Sequence, residues 1–338
     1  MSETTAPSGP GVSVHALLPI MALSAGLIAC GGGATATSAP TQAAGTPTPA
    51  ATLVPMSSSF LDLGLVLNPT DFGRPSGSII GDPTGVLLAD GRIRLFIYVE
   101  AQGVSSAIST DATGTAFRVE GRCTLIPDTG TNTMGIGWGE PRVVPIASGL
   151  RMFYLQDGGI ASATSSDHII WRQEPGLRIT AAQAGVQANT TGSVVALARG
   201  GYRMYFSALR HNPTDPATPM KSATSSDQIT WTMDAGVRVG PGAPFLDQNA
   251  TDPFAIGNPD GTVTAWYFVQ PASGSTFQGA AGLYAATSTD GLEFRNSALT
   301  GIPGGNPNVI VRSDGVRMMY LSSTDPALGP GIRAVQMR

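Results

Sequence analysis

Ser162-Ala163-Thr164-Ser165-Ser166-Asp167-His168-Ile169-Ile170-Trp171 returns sixty residues later as Ser222-Ala223-Thr224-Ser225-Ser226-Asp227-Gln228-Ile229-Thr230-Trp231. A looser copy stands at Ala286-Thr287-Ser288-Thr289-Asp290-Gly291-Leu292-Glu293-Phe294, and a more distant one at Ala107-Ile108-Ser109-Thr110-Asp111, leading to Phe117. The aspartates of these copies, Asp111, Asp167, Asp227 and Asp290, lie 56, 60 and 63 residues apart. A period of this length marks one supersecondary unit repeated along the chain.

A second element precedes each copy: Arg94-Leu95-Phe96-Ile97-Tyr98, Arg151-Met152-Phe153-Tyr154, Arg203-Met204-Tyr205-Phe206, Ala265-Trp266-Tyr267-Phe268 and Arg317-Met318-Met319-Tyr320. These are short aromatic and apolar runs bounded by turn residues, which is strand chemistry. The element occurs five times, and an apolar strand stands before each, as in Ser193-Val194-Val195-Ala196-Leu197. Each unit therefore reads as four strands, the third carrying the Ser-rich motif and the fourth opening at Trp or Phe. Four-stranded antiparallel units repeated radially are the blades of a β-propeller. The fold expected is all-β: a five-bladed β-propeller over residues 57–338, about 56 residues per blade. The last blade runs out after its third strand, and Ser57-Ser58-Ser59-Phe60-Leu61-Asp62-Leu63-Gly64-Leu65-Val66-Leu67 imitates the missing fourth. An N-terminal strand closing the last blade would protect the edges that an open sheet exposes.

Composition agrees with this and excludes some partners. With 43 Gly, 26 Pro and only 12% charged residues in 338, the chain is rich in turns and poor in helix formers. A net charge of −4, with the 19 Lys and Arg scattered, offers no basic face for nucleic acid. Carboxylates around the axis could hold a calcium ion, but no Asp-x-Asp-x-Asp-Gly ligand run supports one, and no cofactor is expected.

The N-terminus reads separately. Residues 16–28 (ALLPIMALSAGLI) are an apolar stretch of 13, too short to span a bilayer and of the length of a signal-peptide core. It ends in Leu27-Ile28-Ala29-Cys30-Gly31, which resembles the bacterial lipobox, in which the cysteine is lipidated. Residues 1–15 depart from the pattern, with Glu3 and no Lys or Arg. Residues 31–56 hold no charged residue and too few apolar ones for a core, the composition of a flexible tether. The expectation is an exported bacterial lipoprotein, with residues 1–30 as signal peptide, Cys30 as lipid anchor and a monomeric propeller held at the membrane, at the cell surface or in the periplasm. With Cys30 lipidated, Cys123 is unpaired and reads as a small buried apolar residue.

The recurring Asp111, Asp167, Asp227 and Asp290 read as turn caps, because a group needed once for chemistry has no reason to recur in every blade. Trp171 and Trp231, and the strand arginines Arg94, Arg151, Arg203 and Arg317, read as contacts between blades. Chemistry is expected where the pattern breaks, at the heads of the inner strands, which share one face around the axis. These heads are Gly81-Asp82-Pro83, Gly139-Glu140-Pro141, Asn189-Thr190-Thr191, Thr251-Asp252-Pro253 and Asn306-Pro307. Carboxylates converging from different blades push their pKa values apart and form an acid–base pair, so Asp82, Glu140 and Asp252 are the catalytic candidates. Asp-Pro and Glu-Pro are also ordinary turn dipeptides, which is the competing reading. Two long loops, 209–219 and 270–281, rise over the same face. The substrate-binding candidates are Trp138, as a stacking platform, with Asn189, His211, Asp215, Phe277 and Asn306.

The Asp-Pro head, the Arg-Met-aromatic strand and the Ser-x-Asp-x-x-x-Trp turn resemble the five-bladed propeller glycoside hydrolases, the clan of families 43, 32 and 62. The resemblance covers residues 57–338. It implies a carbohydrate ligand, with Asp82 as base or nucleophile and Glu140 at the position of a second-blade acidic residue that tunes the site. The third-blade acid of that clan is missing: Asn189, Thr190 and Thr191 stand there, and Asp215 follows only in the next loop. Either Glu140 or Asp252 supplies the acid, or the propeller is a degenerate member that only binds glycan, or protein, at the bacterial surface. Sialidases, with six blades and a turn one residue longer, fit less well.

Overall fold

The computed structural model describes residues 59–128, 139–186, 188–190, 192–209, 218–240, 249–269, 279–323 and 325–337. Five antiparallel sheets of four principal strands form a ring, a five-bladed β-propeller. Blade one is Ile80–Leu87, Ile93–Val99, Gly103–Ser109 and Phe117–Arg122. Blade two is Gly139–Ile146, Gly149–Gln156, Gly159–Ser165 and Ile170–Gln173. Blade three is Ser193–Ala196, Tyr202–Leu209, Met220–Ser225 and Thr232–Met233, with the short Ala188–Asn189 also paired to its second strand. Blade four is Thr251–Gly257, Val263–Val269, Gly282–Ser288 and Arg295–Leu299. Blade five is Gly305–Val311, Arg317–Ser322 and Ile332–Met337.

Blade five is completed by Phe60–Leu67, antiparallel to Ile332–Met337. The closure is pinned by a two-pronged ion pair: Arg333 donates from Nε to Asp62 Oδ1 at 2.9 Å and from Nη2 to Asp62 Oδ2. This pairing holds the Asp62 carboxyl below its usual range. One strand had no sequence signal. Thr124–Ile126 leaves blade one and adds a fifth, parallel strand to the outer edge of blade two, covering that edge. Cys123, just before it, is fully buried, its thiol pushed up to about 12 chiefly by loss of solvent.

The repeated motif does structural work at blade boundaries. Asp167, Asp227 and Asp290 each take two backbone N–H groups on Oδ1, for example Ile229 and Thr230 at 2.8 Å on Asp227, and a hydroxyl from Ser165, Ser225 or Ser288. The next residue, His168, Gln228 or Gly291, has a φ of 63° to 71°. Each of three arginines grips a carboxylate of its own blade and reaches the aspartate turn of the next. Arg94 holds Glu120 and meets His168, Arg151 holds Glu174 and reaches the Asp227 carbonyl, and Arg203 pairs with Asp234 and donates to the Asp290 carbonyl. Arg317 differs. The residue of blade five in register with Arg94 is Met318, since Val86 pairs with Arg94 and Ile310 with Met318. Arg317, one place out, crosses to Asn258 Oδ1 of blade four.

Aromatic rings fill the same boundaries edge to face: Phe96 on Trp171 at 5.4 Å, Phe153 on Trp231 at 6.0 Å, Tyr205 on Phe294 at 5.6 Å and Tyr320 on Phe117 at 5.7 Å. Such pairs contribute about 0.5–1.5 kcal/mol each beyond the area they bury. The last pair joins blade five to blade one, where the Tyr320 hydroxyl also donates to the Gly114 carbonyl at 2.7 Å.

Candidate functional site

The heads of the inner strands lie at the opposite strand ends from the aspartate turns. Gly81 pairs with Tyr98 at one end of blade one, whereas Leu87 pairs with Ile93 and Ser109 with Phe117 at the other. At the blade heads the inner strand carries one residue more than its partner. Gly81 to Thr84 spans Tyr98 to Phe96, and the same slip occurs at Gly139/Arg142, Thr251/Phe254 and Gly305/Asn308. Such a bulge re-aims a side chain. The residue re-aimed is Asp82, Glu140, Asp252 or Asn306, with φ of 52°, 51°, 52° and 51°. Each precedes a proline, which itself disfavours helical backbone at that place. A left-handed, non-glycine residue costs of order 1 kcal/mol or more, and four in register are the kind of backbone strain found at functional sites.

Asp82 is the hub. Asn306 of blade five donates from Nδ2 to its Oδ1, and the Glu140 backbone N–H of blade two hydrogen-bonds its carboxylate. Its own N–H donates to Ser322 Oγ at 3.0 Å. The carboxyl sits deep among protein atoms although part of its surface stays open, and that loss of solvent raises it to about 6. The Arg142 charge opposes the rise and the Asp252 charge adds to it. Asp252 is also raised, again first by loss of solvent and again opposed by Arg142. Blades one, two, four and five thus bring Asp82, Glu140, Arg142, Asp252 and Asn306 into one axial cluster. Tyr98 borders it: its phenol is raised by burial and by the charges of Glu100 and Asp82.

Blade three has the same one-residue excess, from Asn189 opposite Ala208 to Ser193 opposite Tyr205, but no carboxylate at its head. Ser193 pairs with Tyr205 as Thr84 pairs with Phe96, which makes it the counterpart of Thr84; Thr191, two residues before it, lies outside the described residues. Asn189 is two places earlier, fully buried, and neither of its side-chain polar atoms has a partner among the described residues. Gly192 replaces the proline of the other heads because a Cβ there would come within 1.6 Å of the Tyr205 carbonyl oxygen.

Of the residues singled out from sequence, Asp82, Asp252, Glu140 and Asn306 come together. Trp138, His211, Asp215, Phe277 and Cys30 lie outside the described residues. Arg142, Tyr98 and Ser322 were not expected. Arg142 had a signal, as a charged residue inside an inner-strand run, two places after Glu140. Among the described residues no group of three or more His, Cys, Asp and Glu side chains is arranged to hold a metal ion.

No family model and no curated protein matches the chain. Solved structures do match in fold. One is a thermostable family-43 glycoside hydrolase, with a TM-score of 0.54 and 16% identity over 77% of this chain and 89% of that one. A second is a structure of the family 130 that contains mannoside phosphorylases and glycoside hydrolases targeting β-1,2-mannosidic linkages in Candida mannan. Its TM-score is 0.55, with 18% identity over 76% and 84% of the two chains. A third, a glycosyl hydrolase from Bacteroides ovatus, gives 0.53 and 17% over 76% and 84%. At these identities the likeness is one of fold.

Proposed function

We propose that this propeller is a carbohydrate-active protein, a glycoside hydrolase that works with Asp82 and Asp252 across its axis. The observation that carries the reading is the convergence of these two solvent-shielded carboxyls, one near pH 6 and both raised, on one cluster. Glycoside hydrolysis needs one carboxyl protonated, to give its proton to the leaving oxygen, and one ionised, to act as nucleophile or to activate water. Hydrogen bonds donated to a carboxylate favour its ionised form. Asp82, near 6, is largely ionised at neutral pH, and its charge is met by hydrogen bonds from Asn306 and the Glu140 backbone, so it takes the ionised role. Asp252, raised by burial against the opposing Arg142 charge and Thr251 hydrogen bond, takes the acid's. Glu140, held in the same strained turn, tunes the pair. The sharing of fold with propeller glycoside hydrolases is consistent with this reading.

The test is a panel of aryl glycosides with Asp82→Asn and Asp252→Asn. Asp82→Asn should lose turnover on every substrate. Asp252→Asn should keep it only on dinitrophenyl glycosides, whose leaving group needs no proton. No turnover by the unmodified protein on the whole panel, with glycan still bound, would support the second reading, a glycan-binding propeller. The missing carboxylate in blade three favours that alternative.

The lipobox-like Cys30 and the uncharged tether support a further part of the proposal: an exported propeller anchored to a bacterial membrane by lipid. Cys30→Ser should abolish labelling by radioactive palmitate and release the protein from membranes. Labelling that persists in the variant would contradict it.

A further inference from the structure

The inner strands share one register position, held by Thr84, Arg142, Ser193, Phe254 and Asn308 in blades one to five. In two blades its side chain ties neighbours together. Thr84 Oγ1 accepts from the Val143 N–H at 3.0 Å, and Ser193 Oγ accepts from the Ala255 N–H at 2.7 Å. Blade two places a guanidinium at the same position. Arg142 is 3% exposed, and among the described residues its one hydrogen bond runs from Nη1 to the Pro141 carbonyl at 3.0 Å, while Nε is unpartnered. A buried charge so thinly bonded needs compensation through space, because an uncompensated one is expensive. The compensating charges are Asp82 and Asp252, each of which feels Arg142 as its strongest opposing influence to burial.

We propose that Arg142 is the positioning residue of the axial cluster: one buried cation from blade two serves as common counter-charge to the carboxyls of blades one and four, and so holds both where a ligand meets them. The inference rests on the same cluster as the proposed hydrolase, but not on hydrolysis itself. Arg142 stands two residues beyond Glu140, on the rigid inner strand and not on a loop. Its placement is therefore set by the sheet. Without it, two like charges would share a solvent-poor space, and one of them would protonate or move away.

Among the described residues, the groups facing Asp82 are Arg142, Asp252, the Asn306 amide, the Glu140 N–H, Ser322 and the Tyr98 phenol. Of these, Arg142 alone is a cation, so replacing it has a signed consequence. In carboxyl-labelled protein followed by carbon-13 NMR, Arg142→Met should move the Asp82 and Asp252 titrations upward by about 1 unit or more, and Arg142→Lys should restore part of the shift. Asp227, at the other strand ends, should not move. Titrations unmoved in a folded Arg142→Met protein would overturn the proposal.

Thermal unfolding tests it where the single variant folds poorly. Arg142→Met should lower Tm by several degrees in the native background and far less when Asp82→Asn and Asp252→Asn are also present. An equal loss in both backgrounds would mean that Arg142 only fills space, and would overturn the proposal. These outcomes hold whether or not the protein cleaves a glycoside, so a failure of the hydrolase reading is told apart from a failure of this one.

Discussion

The two ends of the blades use the same residue type in opposite ways. At the turn end, Asp227 lies in solvent, accepts two N–H groups and a hydroxyl, and is pulled down to about 2, chiefly by the Thr230 and Ile229 N–H groups. At the head end, Asp82 is shielded from solvent and pushed up to about 6. The first is a carboxylate committed to its charge, and its hydrogen bonds shape a turn. The second is poised to change charge near neutral pH, the condition for acid–base work. The difference teaches where to look in a repeat protein: an aspartate repeated with its backbone partners is architecture, and one lifted into a bulge among like charges is the candidate for chemistry.

The largest expected separation is in activity. Asp82→Asn should lower turnover by about 10³-fold, leaving Tm unchanged or higher at pH 7. Asp227→Ala should leave turnover within twofold. Kinetics on an aryl glycoside that the protein cleaves would check both, and equal losses would erase the contrast.

Next comes stability at the turn end. Glu174 takes two hydrogen bonds from Arg151 at 2.8 Å and one from Ser162 at 2.6 Å. Glu174→Gln leaves a mostly buried guanidinium underpaired and should cost about 2 kcal/mol in urea unfolding, less than for a fully buried pair because Glu174 is partly exposed. Head-end amide variants should not show a comparable loss.

A smaller effect separates the ends by pH. Asp82 is raised on folding, so its contribution to stability is complete below the unfolded value near 3.8 and is lost as pH rises through about 6. Asp227 is lowered, so its contribution is present above 3.8 and is lost as pH falls toward about 2. Asp82→Asn should therefore flatten the stability profile between about pH 4 and 6, and Asp227→Asn the profile between about pH 2 and 4. Denaturant midpoints across pH 2–7 would show it, and a common window would refute it. The smallest effect expected is a Tm lower by roughly 2–4 °C for Asp227→Ala.

Local chemistry made the fold legible. Serine, aspartate and glycine at fixed offsets specify the turns, Phe96 and Trp171 announce the packing between blades, and the Phe60 segment carries the pattern of the strand that closes the ring. What escaped depended on register or distance. Arg317 looks like Arg94 in a string, but Tyr320 follows it by three places where Phe96 follows Arg94 by two, so Met318 stands in register instead. Thr124–Ile126 is too short to announce a strand. The candidate carboxylates were visible as breaks in the repeat, because bulge and proline travel together. Arg142 shows in the string only as a charge inside an inner strand, and its facing of Asp82 and Asp252 from a third blade is a relation no sequence spacing encodes. In blade three the string offers Asn189 within the head Asn189-Thr190-Thr191, while the pairing of Ser193 with Tyr205 sets Asn189 ahead of the place that Asp82 holds in blade one.

The contrast between the two ends is tested most directly by titrating the aspartate carboxyls by carbon-13 NMR in the intact propeller. An Asp82 midpoint near 6 beside an Asp227 midpoint near 2 is the result expected. Midpoints for both near the ordinary value of about 4 would contradict it, and would leave the head-end carboxyls as no more than another set of turns.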